Sequence, residues 1–182
     1  MHRRLGVIAV LLTIPALAQA ADDDFYIGTD LVRVRDKGAE APAIYPLALG
    51  FKAGFEVNRY LALEARYAAG IATDDAVVSG YKIDLDLDYY YGGYAKGILP
   101  LGPVAPYVLV GYTHGKETAT IRQYGVSSDA SHGGLSIGAG VDFPIIKALS
   151  INAEWARLVK GNDASGIGFT IEELSVGVTW RF

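Results

Sequence analysis

Apolar side chains alternate with polar or small ones in eight separate segments of this chain. The last segment shows the pattern most clearly, because Leu174, Val176 and Val178 alternate with Ser175 and Gly177. A period of two places successive side chains on opposite faces of a β-strand, so each segment predicts a strand with one apolar face. The predicted strands are residues 25–35, 47–57, 61–68, 82–91, 104–113, 135–143, 149–156 and 172–182. The phase is less clear at residues 32–35, which predicts either a β-bulge or a stretch above a bilayer.

The connections between the predicted strands alternate between short and long. Those after the second, fourth and sixth strands are tight, at residues 58–59, 99–103 and 144–148. Those after the first, third, fifth and seventh are longer and more polar, at residues 36–43, 70–80, 114–131 and 160–168. Short turns at one end and long loops at the other are typical of outer-membrane barrels, whose short turns are periplasmic.

The length of the chain limits the number of strands. Each crossing takes about 9–11 residues, so eight crossings fit, whereas sixteen would consume almost the whole chain. Lipid cannot satisfy an open strand edge, so the sheet must close on itself. We therefore predict an all-β fold, an eight-stranded antiparallel up-and-down transmembrane β-barrel that occupies residues 21–182.

The first twenty residues have the pattern of a cleaved secretory signal peptide. Arg3 and Arg4 precede an uncharged apolar run at residues 5–16, and Ala18 and Ala20 supply small residues for cleavage. The run is shorter than the roughly 20 residues that a membrane-spanning helix needs. We predict residues 1–20 as the signal and Ala21 as the mature N-terminus. The chain has no cysteine, so disulfides cannot stabilise the exported protein.

The whole predicted mature chain resembles the small eight-stranded outer-membrane proteins, which include the OmpA transmembrane domain, OmpX and the opacity-type surface proteins. The matching pieces are residues 25–28, 105–108 and 138–141 and the C-terminal strand with Trp180 and Phe182. The resemblance implies a place in the cell outer membrane, in contact with its lipids and lipopolysaccharide. It also implies that Trp180 and Phe182 form the signal that the barrel assembly machinery reads. Since nothing follows Phe182, we expect no separate peptidoglycan-binding domain.

Twelve charged residues fall on the predicted inner face of the barrel. They are Asp30, Lys52, Glu64, Arg66, Asp84, Asp86, Asp88, Lys96, Asp142, Glu154, Glu173 and Arg181. An eight-stranded barrel encloses a space just wide enough for side chains, so these charges must pair or hydrogen-bond. We predict an interior polar network of Lys52, Glu64, Arg66, Lys96 and Glu154, with Asp84 and Asp86 near the outer mouth. A structural plug is favoured over an ion pathway or a catalytic carboxylate pair.

The twelve tyrosines and two tryptophans are interpreted as membrane-interface anchors rather than as a ligand-stacking surface. Tyr67, Tyr112 and Trp155 are assigned to the outer aromatic girdle. The assigned periplasmic girdle consists of Phe25, Phe143, Trp180 and Phe182.

No catalytic, cofactor-binding or metal-binding residue is predicted. Ser131 and His132, with Asp129 and Glu117 nearby, have the residue types of a hydrolase but no recognisable spacing. We favour interpreting His114 and His132 as a pair of solvated loop residues. The chain is acidic, with a formal charge of −4, which argues against nucleic acid as a partner. We therefore predict a non-enzymatic outer-membrane protein whose extracellular loops contact a host or surface ligand. The alternatives are a lipid A-modifying enzyme, a narrow channel and a soluble lipocalin-like carrier.

Overall fold

The structure is a computed structural model, and it describes residues 24–38, 45–72, 74–78, 81–121, 126–162 and 168–182. The strands in these ranges are β1 (Phe25–Gly38), β2 (Leu47–Asn58), β3 (Leu61–Ala72), β4 (Asp74–Val78), β5 (Tyr81–Ile98), β6 (Ala105–Ile121), β7 (Val126–Ile146), β8 (Leu149–Asn162) and β9 (Gly168–Arg181). No helix within these ranges is long and apolar enough to cross a membrane. The predicted signal peptide lies outside the described residues and stays a prediction.

Eight long strands close into an antiparallel barrel. Each long strand pairs with the next long strand in the chain, so β3 pairs directly with β5, and β1 closes the barrel by pairing with β9. On β1, for example, Thr29 lies opposite Phe51 of β2 on one side and Val178 of β9 on the other. A sheet that closes in this way leaves no open edge for lipid to solvate. The predicted all-β, eight-stranded, up-and-down barrel is confirmed.

The outer face of the barrel is apolar over its middle, while the inner face is largely polar. Val108 and Leu135 are 63% and 66% exposed, whereas their chain neighbours Leu109 and Ser136 are 4% and 0% exposed. This arrangement is expected where lipid surrounds the protein, because lipid-facing and lumen-facing side chains alternate along each strand. A soluble carrier would need the opposite arrangement, with an apolar cavity and a polar outer face.

Two of the predicted long loops are instead largely strand. β6 and β7 remain paired to Ile121 and Val126, so most of the predicted loop at residues 114–131 is a regular hairpin. β4 lies within the predicted loop at residues 70–80 and pairs with the outer part of β5. These loop predictions are wrong because the outer face of the hairpin is polar there. The outer parts of β6 and β7 therefore lack the alternation between apolar and polar residues that predicts a strand, although their backbones still pair.

The polarity of the two faces inverts towards the end of the barrel with the long connections. On β1, Val32 and Val34 are buried inside, at 2% and 0% exposure, while Arg33 and Arg35 are exposed outside. β1 pairs with both neighbours without a register shift, so the bulge predicted as one alternative for residues 32–35 is wrong. The other alternative, a stretch above the bilayer, explains the inversion, because strands that leave the lipid need a polar outer face.

On β5 the same inversion is accompanied by a bulge. The register with β6 shifts between Leu87 and Tyr89, and Leu87 is buried inside, opposite the buried Glu117. Asp88 lies at the bulge and bonds to outward side chains, and Asp86 pairs with outward-facing Thr118. The predicted inward positions of Asp86 and Asp88 are therefore wrong, because the bulge reverses the phase of the alternation. The side chain of Asp84 lies outside the described part of the chain.

The three connections at the opposite end are short. Between β2 and β3, the side chain of Asn58 accepts a hydrogen bond from the backbone nitrogen of Tyr60 at 2.8 Å. Between β5 and β6, Gly102 has a φ of 86°, a left-handed conformation that favours glycine. β7 continues through Pro144 to Ile146, so the last connection is only residues 147–148, shorter than the predicted 144–148. These turns define the periplasmic end of the barrel.

Candidate functional site

Arg66 is the centre of the charged layer inside the barrel. Its Nε lies 2.5 Å from Oε1 of Glu64, and its two terminal nitrogens lie 2.5 and 2.8 Å from the oxygens of Glu154. Oε1 of Glu173 lies 3.6 Å from Nη1 of Arg66. The side chain of Arg66 is only 8% exposed, and those of the three acids are at most 1% exposed. A planar guanidinium suits this bidentate arrangement, and the single cation holds three carboxylates together.

Tyrosines complete the hydrogen bonds of these carboxylates. Tyr26 donates to Glu64 at 2.7 Å, Tyr107 donates to Glu154 at 2.8 Å, and Tyr90 donates to Glu173 at 2.5 Å. The ring of Tyr94 lies under Arg66, with 4.9 Å from its centroid to the guanidinium carbon. The interpretation of the tyrosines as interface anchors is therefore wrong for these four. Each of the four lies at an inward position of the alternation between apolar and polar residues, and this position is the sequence signal for an interior role.

The two interior lysines form separate ion pairs. Lys52 lies 2.8 Å from Asp30, which also accepts a hydrogen bond from Asn152 at 2.9 Å. Lys96 lies 2.8 Å from Asp142, and its ammonium is 3.8 Å from the ring centroid of Tyr107. Of the five residues predicted as one network, the structure brings together Glu64, Arg66 and Glu154. Lys52 and Lys96 each have a different acid, and Glu173 joins the arginine centre.

Glycines on the inner wall make room for the tyrosine rings. A Cβ atom added at Gly54 would lie 2.1 Å from Cζ of Tyr26, and one at Gly140 would lie 2.5 Å from Cζ of Tyr107. Both distances are far below van der Waals contact, and the obstructing atoms belong to rings whose hydroxyls are held by carboxylates. The small residues at these positions are therefore required by the polar network.

An apolar cluster fills the barrel on the extracellular side of the charged layer. Its buried members are Val32, Val34, Ala48, Ala68, Leu87, Tyr90, Ala156, Leu158, Val159 and Ile171, with Phe169 packed against them. The cavity that remains among the described residues at this level is about 20 Å³, close to the size needed for one water molecule. An ion would have to cross both the paired charges and this apolar layer, so the geometry disfavours the channel alternative.

The hydrolase-like set around His132 is divided by the barrel wall. His132 faces inward against Phe169, with ring centroids 4.5 Å apart, and Glu117 is also buried inside. Ser131 and Asp129 lie at outward positions of the same strand, where they are exposed. His114 packs outside against Tyr91 at 5.5 Å. The wall therefore separates Ser131 from His132. The interpretation of the two histidines as solvated loop residues is wrong, because both lie on paired strands and pack against aromatic rings.

The outer face of the β6–β7 hairpin carries a polar ladder. Lys116 lies 2.8 Å from Asp129 and 3.7 Å from Asp88. The hydroxyl of Thr118 lies 3.1 Å from Asp129 and 2.9 Å from Asp88, and it can donate its single proton to either carboxylate. The hydrogen bond from Lys116 is the main reason that the pKa of Asp129 lies below its ordinary value. The pair is therefore intact above the ordinary aspartate pKa, and it opens as the pH falls through the lowered value.

The residues assigned to the two aromatic girdles lie at the two borders of the apolar belt. Tyr67, Tyr112 and Trp155 are 47%, 58% and 43% exposed on the outer face. The outer faces of Phe25, Phe143 and Trp180 are similarly exposed near the short turns. Phe182 donates its backbone N–H to the carbonyl of Phe25 at 3.0 Å and so connects the end of the last strand to the start of β1. Within the described residues, no group of three or more His, Asp or Glu side chains has the geometry of a metal site.

A closed antiparallel barrel with an apolar outer belt and a filled polar interior defines a transmembrane β-barrel protein. Residues 6–182 match the family model described as outer membrane protein beta-barrel domain, and the chain belongs to this family. The protein is accordingly a component of the outer membrane. No curated protein matches the sequence.

Solved structures of outer-membrane proteins are similar to this chain. Ail, the attachment invasion locus protein of Yersinia pestis, has a TM-score of 0.63 and 20% identity, covering 89% of this chain and 100% of Ail. Neisserial surface protein A has a TM-score of 0.66 and 18% identity, covering 87% and 97%. OprG of Pseudomonas aeruginosa has a TM-score of 0.62 and 12% identity, covering 91% and 99%. At these identities the likeness shows a shared fold alone.

Proposed function

We propose that the protein is a non-enzymatic surface protein whose extracellular hairpins bind an external partner. The observation that carries this proposal is the extension of β5, β6 and β7 beyond the apolar belt. These strands stay paired there and expose the polar ladder of Lys116, Thr118 and Asp129. β5 also contributes Leu87 and Tyr90 to the apolar interior cluster. An ordered polar surface on a rigid support is what a binding site requires, since little order has to be gained on binding.

The similarity to Ail supports the same function without defining the ligand. One Ail structure is a complex with the heparin analogue sucrose octasulfate. In the present chain, the β4–β5 hairpin carries Asp74, Asp75, Asp84 and Asp86 against the single Lys82. This negative charge repels a sulfated polysaccharide. We therefore propose a protein surface with exposed lysine or arginine as the partner of the β4–β5 hairpin.

Shortening the β6–β7 hairpin in register tests this function. We expect that joining Glu117 to Ala130 through a two-residue turn in place of residues 118–129 leaves the barrel inserted and closed, because those two residues already form a cross-strand pair. Unheated and boiled samples should still migrate differently in SDS gels. Attachment of expressing cells to host cells or matrix should fall, and the lipid A mass spectrum should stay unchanged.

A variant at the periplasmic end of the barrel is the control for the attachment measurement. Lys147, in the exposed periplasmic turn, is far from the hairpin, so Lys147→Gln should leave attachment unaltered. Unchanged attachment after hairpin shortening would contradict the proposed site. A change in the lipid A mass spectrum on His132→Ala would favour the lipid A-modifying enzyme instead.

We also propose that Trp180 and Phe182 act in assembly through the outer-membrane assembly machinery. They belong to the segment that closes the barrel, where Trp180 pairs with Ile27 and Phe182 bonds to Phe25. Deleting Phe182 removes only one backbone hydrogen bond of the closed barrel. We expect insertion in cells to fall while refolding of the purified protein into detergent persists. Equal loss in both experiments would indicate a purely structural role.

A further inference from the structure

The arginine centre inside the barrel contains more acidic than basic groups. Its members are Arg66, Glu64, Glu154 and Glu173. The side chains of the three acids are at most 1% exposed, and that of the arginine is 8% exposed. With all four groups ionised, a single positive charge would face three negative charges in a space closed to water.

The other cations of the barrel interior do not offset this excess of negative charge. Lys52 lies 2.8 Å from Asp30, and Lys96 lies 2.8 Å from Asp142, so each lysine already has its own acid. A buried carboxylate without a counter-charge is costly, and a group in that position is neutralised by taking up a proton instead. One proton bound within the arginine centre removes part of the excess.

The contacts of the three acids indicate which of them holds this proton. Glu64 and Glu154 accept hydrogen bonds from Arg66 at 2.5 to 2.8 Å. Oε1 of Glu173 lies 3.6 Å from Nη1 of Arg66, which is beyond hydrogen-bond distance. Its other oxygen accepts a hydrogen bond from the neutral hydroxyl of Tyr90 at 2.5 Å. Glu173 therefore loses the least interaction with the cation when it becomes neutral.

We propose that Glu173 binds a proton at neutral pH, so that the arginine centre contains two carboxylates, one guanidinium and one neutral carboxyl. The proton comes from water as the barrel folds. Tyr90, the partner of Glu173, also belongs to the apolar cluster on the extracellular side of the charged layer. Proton binding therefore keeps an uncompensated charge away from that cluster and links the packing of the two layers. This inference does not depend on the proposed function of the hairpins.

Titratable and charged side chains surround Glu173 on several strands. They are Asp30 of β1, Glu64 and Arg66 of β3, Tyr90 and Tyr94 of β5, and Glu154 of β8. Glu117 and His132 lie beyond Tyr90, with which they line one small cavity. All of these groups are common to the wild type and to Glu173→Gln, so a difference between the two proteins reports the proton of Glu173.

The pH dependence of unfolding tests the proposal. An unfolded chain releases a glutamate proton above the ordinary pKa of about 4.3, so a proton held by the folded barrel makes stability fall as the pH rises. We expect Glu173→Gln and the wild type to unfold at similar urea concentrations at about pH 5. Towards about pH 8, the unfolding equilibrium constant of the wild type should rise relative to that of the variant, by up to about tenfold per pH unit. Both proteins are refolded into phosphatidylcholine vesicles, whose net charge stays constant over this range.

Two variants make the same chemical change at matched positions. Glu64→Gln removes a carboxylate that accepts directly from Arg66, so it should destabilise the barrel at about pH 5, where Glu173→Gln does not. Glu172→Gln changes the preceding residue of β9, whose side chain faces outward and is 27% exposed. This variant should show the same pH dependence as the wild type.

Infrared spectroscopy detects the proton directly. The folded wild-type barrel at neutral pH should show the C=O stretch of a protonated carboxyl, and Glu173→Gln should lack it. Absence of the band from the wild type would overturn the proposal even if the variant fails to fold.

Three results of the unfolding measurements would also overturn the proposal. Parallel pH curves for the wild type and Glu173→Gln would show that Glu173 does not titrate. A loss of stability on Glu173→Gln that grows with pH would show an ionised Glu173 paired with Arg66. A dependence of the unfolding equilibrium on the choice of sodium or choline chloride would show a metal cation in place of the proton.

Discussion

Replacing Arg66 by leucine is expected to lower the free energy of unfolding of the barrel by about 3–5 kcal/mol. Arg66 contacts Glu64 and Glu154 directly and lies near Glu173, all inside the barrel. Without the guanidinium, three buried carboxylates lose their shared cation, and an unpaired buried charge is strongly destabilising. Urea unfolding in phospholipid vesicles, followed by tryptophan fluorescence, measures the change.

Two further variants show whether the cost of Arg66→Leu comes from leaving the carboxylates unpaired or from removing an arginine in general. Arg59→Leu, in the exposed periplasmic turn, should change the unfolding free energy by no more than about 0.5 kcal/mol. Adding Glu154→Gln to Arg66→Leu should recover part of the loss, because it removes one of the unpaired charges. A cost of under about 1 kcal/mol for Arg66→Leu, or no recovery in the double variant, would mean that the charges are not coupled as the structure shows.

The sequence predicts the fold because lipid and barrel interior impose opposite demands on neighbouring residues. Along β9, Leu174, Val176 and Val178 face the lipid, and Ser175 and Gly177 face the interior, so polarity alone defines the strand and its orientation. The contrast disappears where the strands leave the membrane. There Thr118 and Lys116 face water and the interior becomes apolar, so the sequence predicts a loop where the structure has a hairpin.

The partners within the interior could not be predicted from the same pattern. Arg66 and Glu154 are 88 residues apart in the chain and lie on β3 and β8, which are not neighbours in the sheet. Their meeting depends on the stagger of the strands and on the narrow width of a closed eight-stranded barrel. Alternation identifies a residue as inward-facing, but it does not give its height in the barrel. For this reason the pattern predicts Lys52 and Lys96 as members of the arginine centre, whereas the structure pairs each with a different acid.

Replacing Val176 by arginine is expected to destabilise the inserted barrel by about 2–4 kcal/mol. Val176 is 53% exposed on the outer face of β9, between Leu31 of β1 and Ala153 of β8. Its neighbours in the row are apolar, so no acid is available to pair with a guanidinium. In water such a substitution at an exposed position costs little, so the penalty arises from the hydrocarbon that surrounds this part of the barrel.

The same substitution outside the belt provides the matched control. Thr170 lies six residues earlier on β9, on the same outer face and beyond the inversion of polarity. Because Lys37 and Lys160 lie opposite it in the register, Thr170→Arg should lower the unfolding free energy by up to about 1 kcal/mol, well below the cost at Val176. Both variants are compared by urea unfolding in vesicles of one lipid composition. Equal and small effects would contradict the assignment of the Val176 row to the hydrocarbon region. A large effect at Val176 alone locates the lipid boundary between residues 170 and 176, the stretch that contains Glu172.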